Sequence, residues 1–147
     1  MIFIFDIEES LGFLLAKNHQ RAASLFREAL EPYDITPPQF ATLAILWRQD
    51  GLSQTKLCSL ANMDRTTLGG IIDRLEKQEL AVRKDDPEDR RTYLIYLTPK
   101  GKDLQNILSQ VAEKTNKTIS ANLTLAEKEQ LVKLLKKMRV QKRRPIN

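Results

Sequence analysis

Apolar residues in the first third of the chain return at steps of three, four and seven. Leu11, Leu14, Leu15, Ala22, Leu25, Phe26, Ala29 and Leu30 fall on one face of a 3.6-residue period. That spacing predicts a long amphipathic helix, ended by Pro32. Thr36-Pro37-Pro38-Gln39 joins a Thr cap, proline in the first turn and glutamine at the reciprocal capping position, which opens a second helix. That helix carries Phe40, Leu43, Ala44 and Trp47 and stops near the turn pair Asp50-Gly51. Ser53 caps a short third helix through Leu57, Leu60 and Ala61. Asn62-Met63-Asp64 is a tight polar break, and Asp64 caps a fourth helix from Arg65 to about Gln78.

The period then changes. Val82-Arg83-Lys84, the turn cluster Asp85-Asp86-Pro87-Glu88-Asp89 and the β-branched and aromatic run Thr92-Tyr93-Leu94-Ile95-Tyr96-Leu97 predict a β-hairpin with a charged tip. Thr98-Pro99-Lys100 opens a fifth helix with Leu104, Ile107, Leu108 and Val111 inward, while Glu113 to Thr118 is too polar for a core. Thr124-Leu125-Ala126-Glu127 is a capping box for a sixth helix with Leu131, Leu134, Leu135 and Met138 on one face. The tail Lys142-Arg143-Arg144-Pro145 is basic, and a frayed end is expected.

These elements predict a mainly α protein with a small β-hairpin wing, a single domain over residues 1–147. Two helices across a tight break, followed by a hairpin, form a winged helix-turn-helix, here residues 34–98. Long helices flank it, residues 6–31 and 99–142. So small a centre cannot cover their apolar faces. A second copy can, and a symmetric dimer matches a palindromic DNA site. The flanks are therefore expected to form a dimerisation lobe.

Composition narrows the function classes. The 147 residues carry 24 Lys and Arg against 19 Asp and Glu, a net charge of +5. That balance is compatible with nucleic acid. One cysteine excludes a disulfide framework, and the lone His19 excludes most zinc sites and histidine-based triads. No Gly-rich phosphate loop or nucleophile elbow occurs, so no enzyme, cofactor or metal is expected. The apolar opening Met-Ile-Phe-Ile-Phe is followed by Asp6, Glu8 and Glu9 with no basic stretch before it. It does not read as a signal peptide, and no run is long enough for a membrane span, so a cytoplasmic protein is expected.

At 100° per residue, Leu68, Ile71, Ile72 and Leu75 cluster on one side of the fourth helix. Thr66, Gly70, Asp73 and Lys77 lie opposite, flanked by Gly69 and Arg74. The polar side is available to a DNA groove. Arg65 and Thr66, in the first turn, would sit deepest, and Arg74 and Lys77 are better placed for phosphate. The plainer alternative is a solvated face with an Asp73–Lys77 pair. Gly69-Gly70 reads as close approach of the backbone to the groove, or as drift. Either way, shape readout carries more of the specificity.

Leu52-Ser53-Gln54-Thr55-Lys56-Leu57, Met63-Asp64-Arg65-Thr66-Thr67-Leu68, Asp73-Arg74-Leu75-Glu76-Lys77, Asp86-Pro87-Glu88-Asp89-Arg90-Arg91 and Leu97-Thr98-Pro99-Lys100-Gly101 resemble the multiple-antibiotic-resistance regulator (MarR) family. The acidic-Pro-x-Asp-Arg-Arg wing followed by Leu-Thr-x-x-Gly is the most specific part. The resemblance implies a homodimeric transcription factor on double-stranded DNA, usually a repressor, often released by a small aromatic or phenolic ligand. It implies DNA contacts from Ser53, Gln54, Thr55, Arg65, Thr66, Thr67, Gly70, Arg74, Lys77, Arg90 and Arg91. Asp89 would brace the wing while Arg91 enters the minor groove, although Arg90 is an alternative and the Asp–Arg pair also serves simply to stiffen a turn. Family pockets lie between the first two helices and the DNA-binding lobe, where His19, Arg21, Phe40 and Trp47 would hold an aromatic acid. Phe40 and Trp47 equally suit a core, and His19 a solvated face. Peroxide-sensing relatives keep a cysteine early in the first helix. Cys58 is elsewhere and reads as packing. A winged-helix module for protein interaction or constitutive DNA architecture shares the fold but needs neither effector nor operator.

Overall fold

The computed structural model describes residues 1–139; the basic tail Lys142-Arg143-Arg144-Pro145 lies outside the described residues. Among the described residues, six α-helices run α1 (Leu11–Leu30), α2 (Pro37–Arg48), α3 (Gln54–Ala61), α4 (Arg65–Lys77), α5 (Pro99–Ile119) and α6 (Leu125–Met138). Three strands, β1 (Leu52–Ser53), β2 (Ala81–Asp85) and β3 (Tyr93–Leu97), form an antiparallel sheet ordered β1-β3-β2. The fold class is the expected one, mainly helical with a small winged sheet. β1 is the addition. Two residues are too short for any alternation to announce a strand, and pairing of Leu52 with Ile95 and Ser53 with Leu94 creates it.

The capping signals act as the sequence predicts. Thr36 and Thr124 each form a full capping box, with Gln39 and with Glu127. Asp64 Oδ1 accepts from the Thr67 N–H at 2.7 Å. The Glu127 carboxyl lies below its ordinary value because the Thr124 main-chain N–H, then the Thr124 hydroxyl, favour its charged form. Gly51 turns at φ +73°, and Asp50 Oδ1 ties that turn to the wing by accepting from the Gly51 and Leu97 N–H groups.

The core sits within the central lobe. Leu43, Leu46, Leu57, Leu68, Ile72, Leu75 and Ile95 are fully buried, joined by Leu30 from the end of α1 and Leu108 from α5. Cys58 is buried among them, as a packing residue should be. Gly101 explains the Leu-Thr-Pro-Lys-Gly run physically. A Cβ there would stand 2.1 Å from the Leu80 carbonyl oxygen, and Trp47 Nε1 donates to the Gly101 carbonyl at 2.9 Å. The seam between wing and α5 closes only around glycine.

Two expectations for the flanking helices need correction. The second half of α5 does contribute to packing, because Ala112 and Thr115 are buried where α5 crosses α1. Small side chains suffice at that crossing, and the Thr115 hydroxyl donates to the Val111 carbonyl at 2.8 Å, so its polarity costs little. Ile107, expected inward, is instead 40% exposed. None of α6 is buried: Leu131, Leu134, Leu135 and Met138 all face outward, as do Leu11, Leu14 and Leu15 on α1. Among the described residues, no helix is long and apolar enough to cross a membrane.

Candidate nucleic-acid interface

The first turn of α4, the start of α3 and the wing converge on one shallow cleft of about 180 Å³, lined by Gln54, Thr55, Arg65, Arg91, Thr92 and Tyr93. Four of these residues were singled out from sequence. Sequence reasoning missed Thr92 and Tyr93, because alternation alone places Tyr93 with the inward Ile95 and Leu97. Tyr93 shares the face of Ile95 and Leu97 but stands at the wing-tip end of β3, beyond the buried core, and so is exposed.

Each side chain is set by its local backbone. The Ser53 hydroxyl accepts from the Lys56 N–H at 3.0 Å and so caps α3. Thr67 is engaged too, donating its hydroxyl to Asp64 Oδ2 at 3.1 Å while its N–H donates to Oδ1. The Thr67 main-chain N–H, then its hydroxyl, hold the Asp64 carboxyl below its ordinary value. Ser53 and Thr67 are thus cap partners first. Arg65 and Thr66 are exposed at the tip of α4.

At the wing tip, Asp89 Oδ1 accepts from the Arg91 N–H at 3.0 Å and from Nε at 3.2 Å. The Arg91 main-chain N–H leads in holding the Asp89 carboxyl below its ordinary value, followed by the Arg91 side chain, with the Arg65 charge adding to it. Its bracing contact is therefore complete above the usual carboxylate range and is lost as pH falls through the lowered value. The Arg91 side chain remains 91% exposed even so. Asp89 fixes its root and leaves the guanidinium free to reach out. Arg90 is exposed beside it.

Arg74 and Lys77 lie farther along α4, Lys77 about 18 Å from Arg65 at the helical rise. They line a second cleft of about 400 Å³ with Asp34, Thr36, Gln39 and Gln78. Buried Gln39 donates to Gln78 Oε1 at 2.9 Å, and Gln78 donates to the Asp34 carbonyl at 2.6 Å, locking the start of α2 to the end of α4. Gly70 lies between the clefts, exposed, with no heavy atom within 4 Å of the place a Cβ would occupy.

One charge pairing differs from the sequence reading. Asp73 does not pair with Lys77 but with Arg83 at 2.6 Å. Arg83, in the strand leading to the charged tip, thus turns toward α4 and away from that tip. It also donates to Glu76 and to the Gly69 carbonyl. Burial alone would lower the Arg83 pKa, but hydrogen bonds and charge from Asp73 and Glu76 outweigh that and hold it above its ordinary value. Strand register causes the change: Arg83 lies opposite Ile95 on the strand beside α4, so its side chain folds back on the helix.

None of the four residues proposed for an effector site lines either cleft described above or the α1–α5 groove. Phe40 stacks on Phe26 at 6.5 Å and meets Trp47 edge-on at 5.8 Å, an aromatic train against the core. Arg21 donates to the Ile119 and Thr118 carbonyls at the end of α5, satisfying groups a helix C-terminus leaves open. His19 is exposed on α1. A roomier groove of about 440 Å³ opens between α1 and α5, where Leu25, Ala29, Tyr33, Val111 and Lys114 are among its walls.

Comparison with known proteins agrees with this geometry. The sequence model of the MarR family matches residues 35–93. The transcriptional repressor NicR of Pseudomonas putida is 31% identical over 91% of this chain and 85% of its own length. Bordetella bronchiseptica BpsR, whose solved structure concerns regulation of its DNA binding by 6-hydroxynicotinic acid, is 31% identical. It superposes with a TM-score of 0.86, covering 92% of this chain and 97% of its own. An Escherichia coli MarR cysteine variant complexed with operator DNA is 28% identical, with a TM-score of 0.83 over 93% of this chain and 99% of that one.

Proposed function

The chain belongs to the MarR family of DNA-binding transcription regulators, and on that premise we propose that it is a homodimeric repressor of a palindromic operator, released by a small hydroxylated aromatic acid. In this reading residues 34–98 are the DNA-binding lobe, and residues 6–31 with 99–142 the dimerisation lobe. The observation that carries it is the cleft shared by Gln54, Thr55, Arg65 and Arg91, which joins the tip of α4 to the wing. Arg65 and Thr66 enter the major groove, Arg91 the adjacent minor groove, and Arg74 and Lys77 hold phosphate.

The outward apolar faces of α1 and α6 support the dimer. The similarity to NicR and BpsR supports a repressor with an aromatic acid effector. The groove between α1 and α5 is the better-formed place for it, with apolar walls and the Lys114 ammonium available to a carboxylate.

Arg91→Ala tests the wing. Its side chain is exposed and packs in no core, so the melting temperature should hardly move. Affinity for the operator selected from a random duplex pool should fall severalfold, with the salt slope reduced by about one. Arg90→Ala should act more weakly. If both variants bind that duplex as tightly as the parent at physiological salt, the wing does not contact DNA.

Gly70→Ala tests close approach. The new methyl meets nothing within the protein, so the helix should gain about 0.5–1 kcal/mol. Close approach predicts a higher melting temperature together with weaker operator binding. Unchanged binding would leave the glycine without a role at the groove.

A further inference from the structure

We infer that Arg83 is a positioning residue for DNA recognition: from β2 it staples the glycine-weakened recognition helix to the wing without contacting DNA itself. The inference rests on α4 being the helix that enters the groove.

α4 has a weak centre. Gly69 and Gly70 adjoin within its thirteen residues, and glycine inside a helix leaves the backbone more freedom than any other residue. Packing does not make this good on the outer face, where the Gly70 position is open. The base-facing end at Arg65 and the phosphate-facing end at Lys77 lie on opposite sides of the weak point. Their relative placement needs a restraint from elsewhere.

Arg83 supplies one. Its Nη2 donates to the Gly69 carbonyl at 3.1 Å, and its Nη1 donates to Asp73 Oδ1 at 2.6 Å and to Glu76 Oε1 at 2.5 Å. Its main-chain N–H donates to Glu76 Oε2 at 3.2 Å. The acceptors stand at positions i, i+4 and i+7, so one planar fork spans two turns, about 10 Å of helix. The Gly69 carbonyl has a second lone pair for this bond beside its helical one.

The same residue pairs with Ile95, which is fully buried in the wing's central strand. Arg83 therefore adds a polar tie between helix and wing to the packing of Leu68, Ile72 and Leu75 with Ile95 in the core. Arg83 is only 20% exposed, against the open Arg91, which suits a staple and not a phosphate ligand. It also offsets two carboxylates that would otherwise meet the DNA backbone unpaired.

The full-length chain is titrated with two duplexes, the one it enriches from a random pool and a scrambled duplex of the same composition. Arg83→Lys keeps the charge but lacks a fork able to bridge three acceptors. Affinity for the enriched duplex should fall about tenfold, the loss of one charged hydrogen bond's worth of ordering, while the scrambled duplex changes less than about twofold. Adding Gly69→Ala, whose methyl would meet only Gln54 Nε2 at 3.7 Å, should restore part of the preference by stiffening the helix directly. An unchanged ratio of the two affinities, an equal fall on both duplexes, or no recovery with Gly69→Ala each overturns the inference.

Should Arg83→Lys fail to fold, Asp73→Asn removes one acceptor from a side chain already 62% exposed. It should lower the ratio about threefold, and an unchanged ratio there overturns the inference too. Arg65→Ala is titrated in parallel. Lost preference in Arg65→Ala with an intact ratio in Arg83→Lys refutes the staple alone, whereas intact preference in Arg65→Ala refutes the recognition-helix reading beneath it.

Discussion

Leu135→Asp should convert a micromolar solution of this protein from dimer to monomer and remove operator binding with it. Leu131, Leu134, Leu135 and Met138 are each between 42% and 47% exposed on α6, and Leu11, Leu14 and Leu15 between 38% and 61% on α1. Runs of this kind exceed what monomeric proteins ordinarily leave in water. Packed against a symmetric copy, they would become the interior of the proposed dimer. A lone aspartate there would lose its hydration without a partner, costing at least about 3 kcal/mol. That is more than roughly a hundredfold in the dimer dissociation constant. Operator binding follows because half-sites one helical turn apart are gripped together only by a linked pair. Sedimentation velocity on parent and variant is the check. A parent that sediments as a folded monomer at micromolar concentration overturns the dimer.

The second large effect belongs to the two ends of α4. Arg65→Ala should flatten preference at one or two base pairs in each half-site. Lys77→Ala should instead weaken binding to every sequence and lower the salt slope by about one. The reasoning is positional. Arg65 lies at the cleft shared with the wing and Lys77 at the junction with α2. Arginine at a helix tip can donate to guanine O6 and N7 together, worth roughly 1–3 kcal/mol of discrimination. A lysine ammonium on phosphate carries no sequence information. Fluorescence titrations against single-substituted duplexes at two salt concentrations separate the outcomes. If both variants show one base profile and one salt slope, the division of α4 into a reading end and an anchoring end fails.

Local chemistry was the legible part of this fold. Thr36, Ser53, Asp64, Thr98 and Thr124 each cap the helix the sequence assigns them. A cap bonds to a backbone N–H a few residues on, so a short window contains all its physics. What the sequence hid depends on register between distant segments. β1 exists through β3, and Gly101 is required because Leu80 approaches from the preceding strand connection. Nothing local to Arg83 announces that the sheet turns its side chain toward Asp73 and Glu76.

The candidate site divides along the same line. Gln54, Thr55, Arg65 and Arg91 carry chemistry readable from residue type, and the structure brings them to one cleft. The assignment of His19, Arg21, Phe40 and Trp47 to one pocket required knowing how α1 crosses α2 and α5. In the fold Arg21 serves the end of α5 and the two aromatic rings join a stack.

Selection of duplexes from a random-sequence pool by the full-length protein tests the central claim most directly. A symmetric dimer that reads DNA through α4 and the wing should enrich an inverted repeat with half-site centres about one helical turn apart. A narrow, A·T-rich minor groove should lie where each Arg91 falls. Enrichment of no sequence, or of a single unrepeated site, would contradict it.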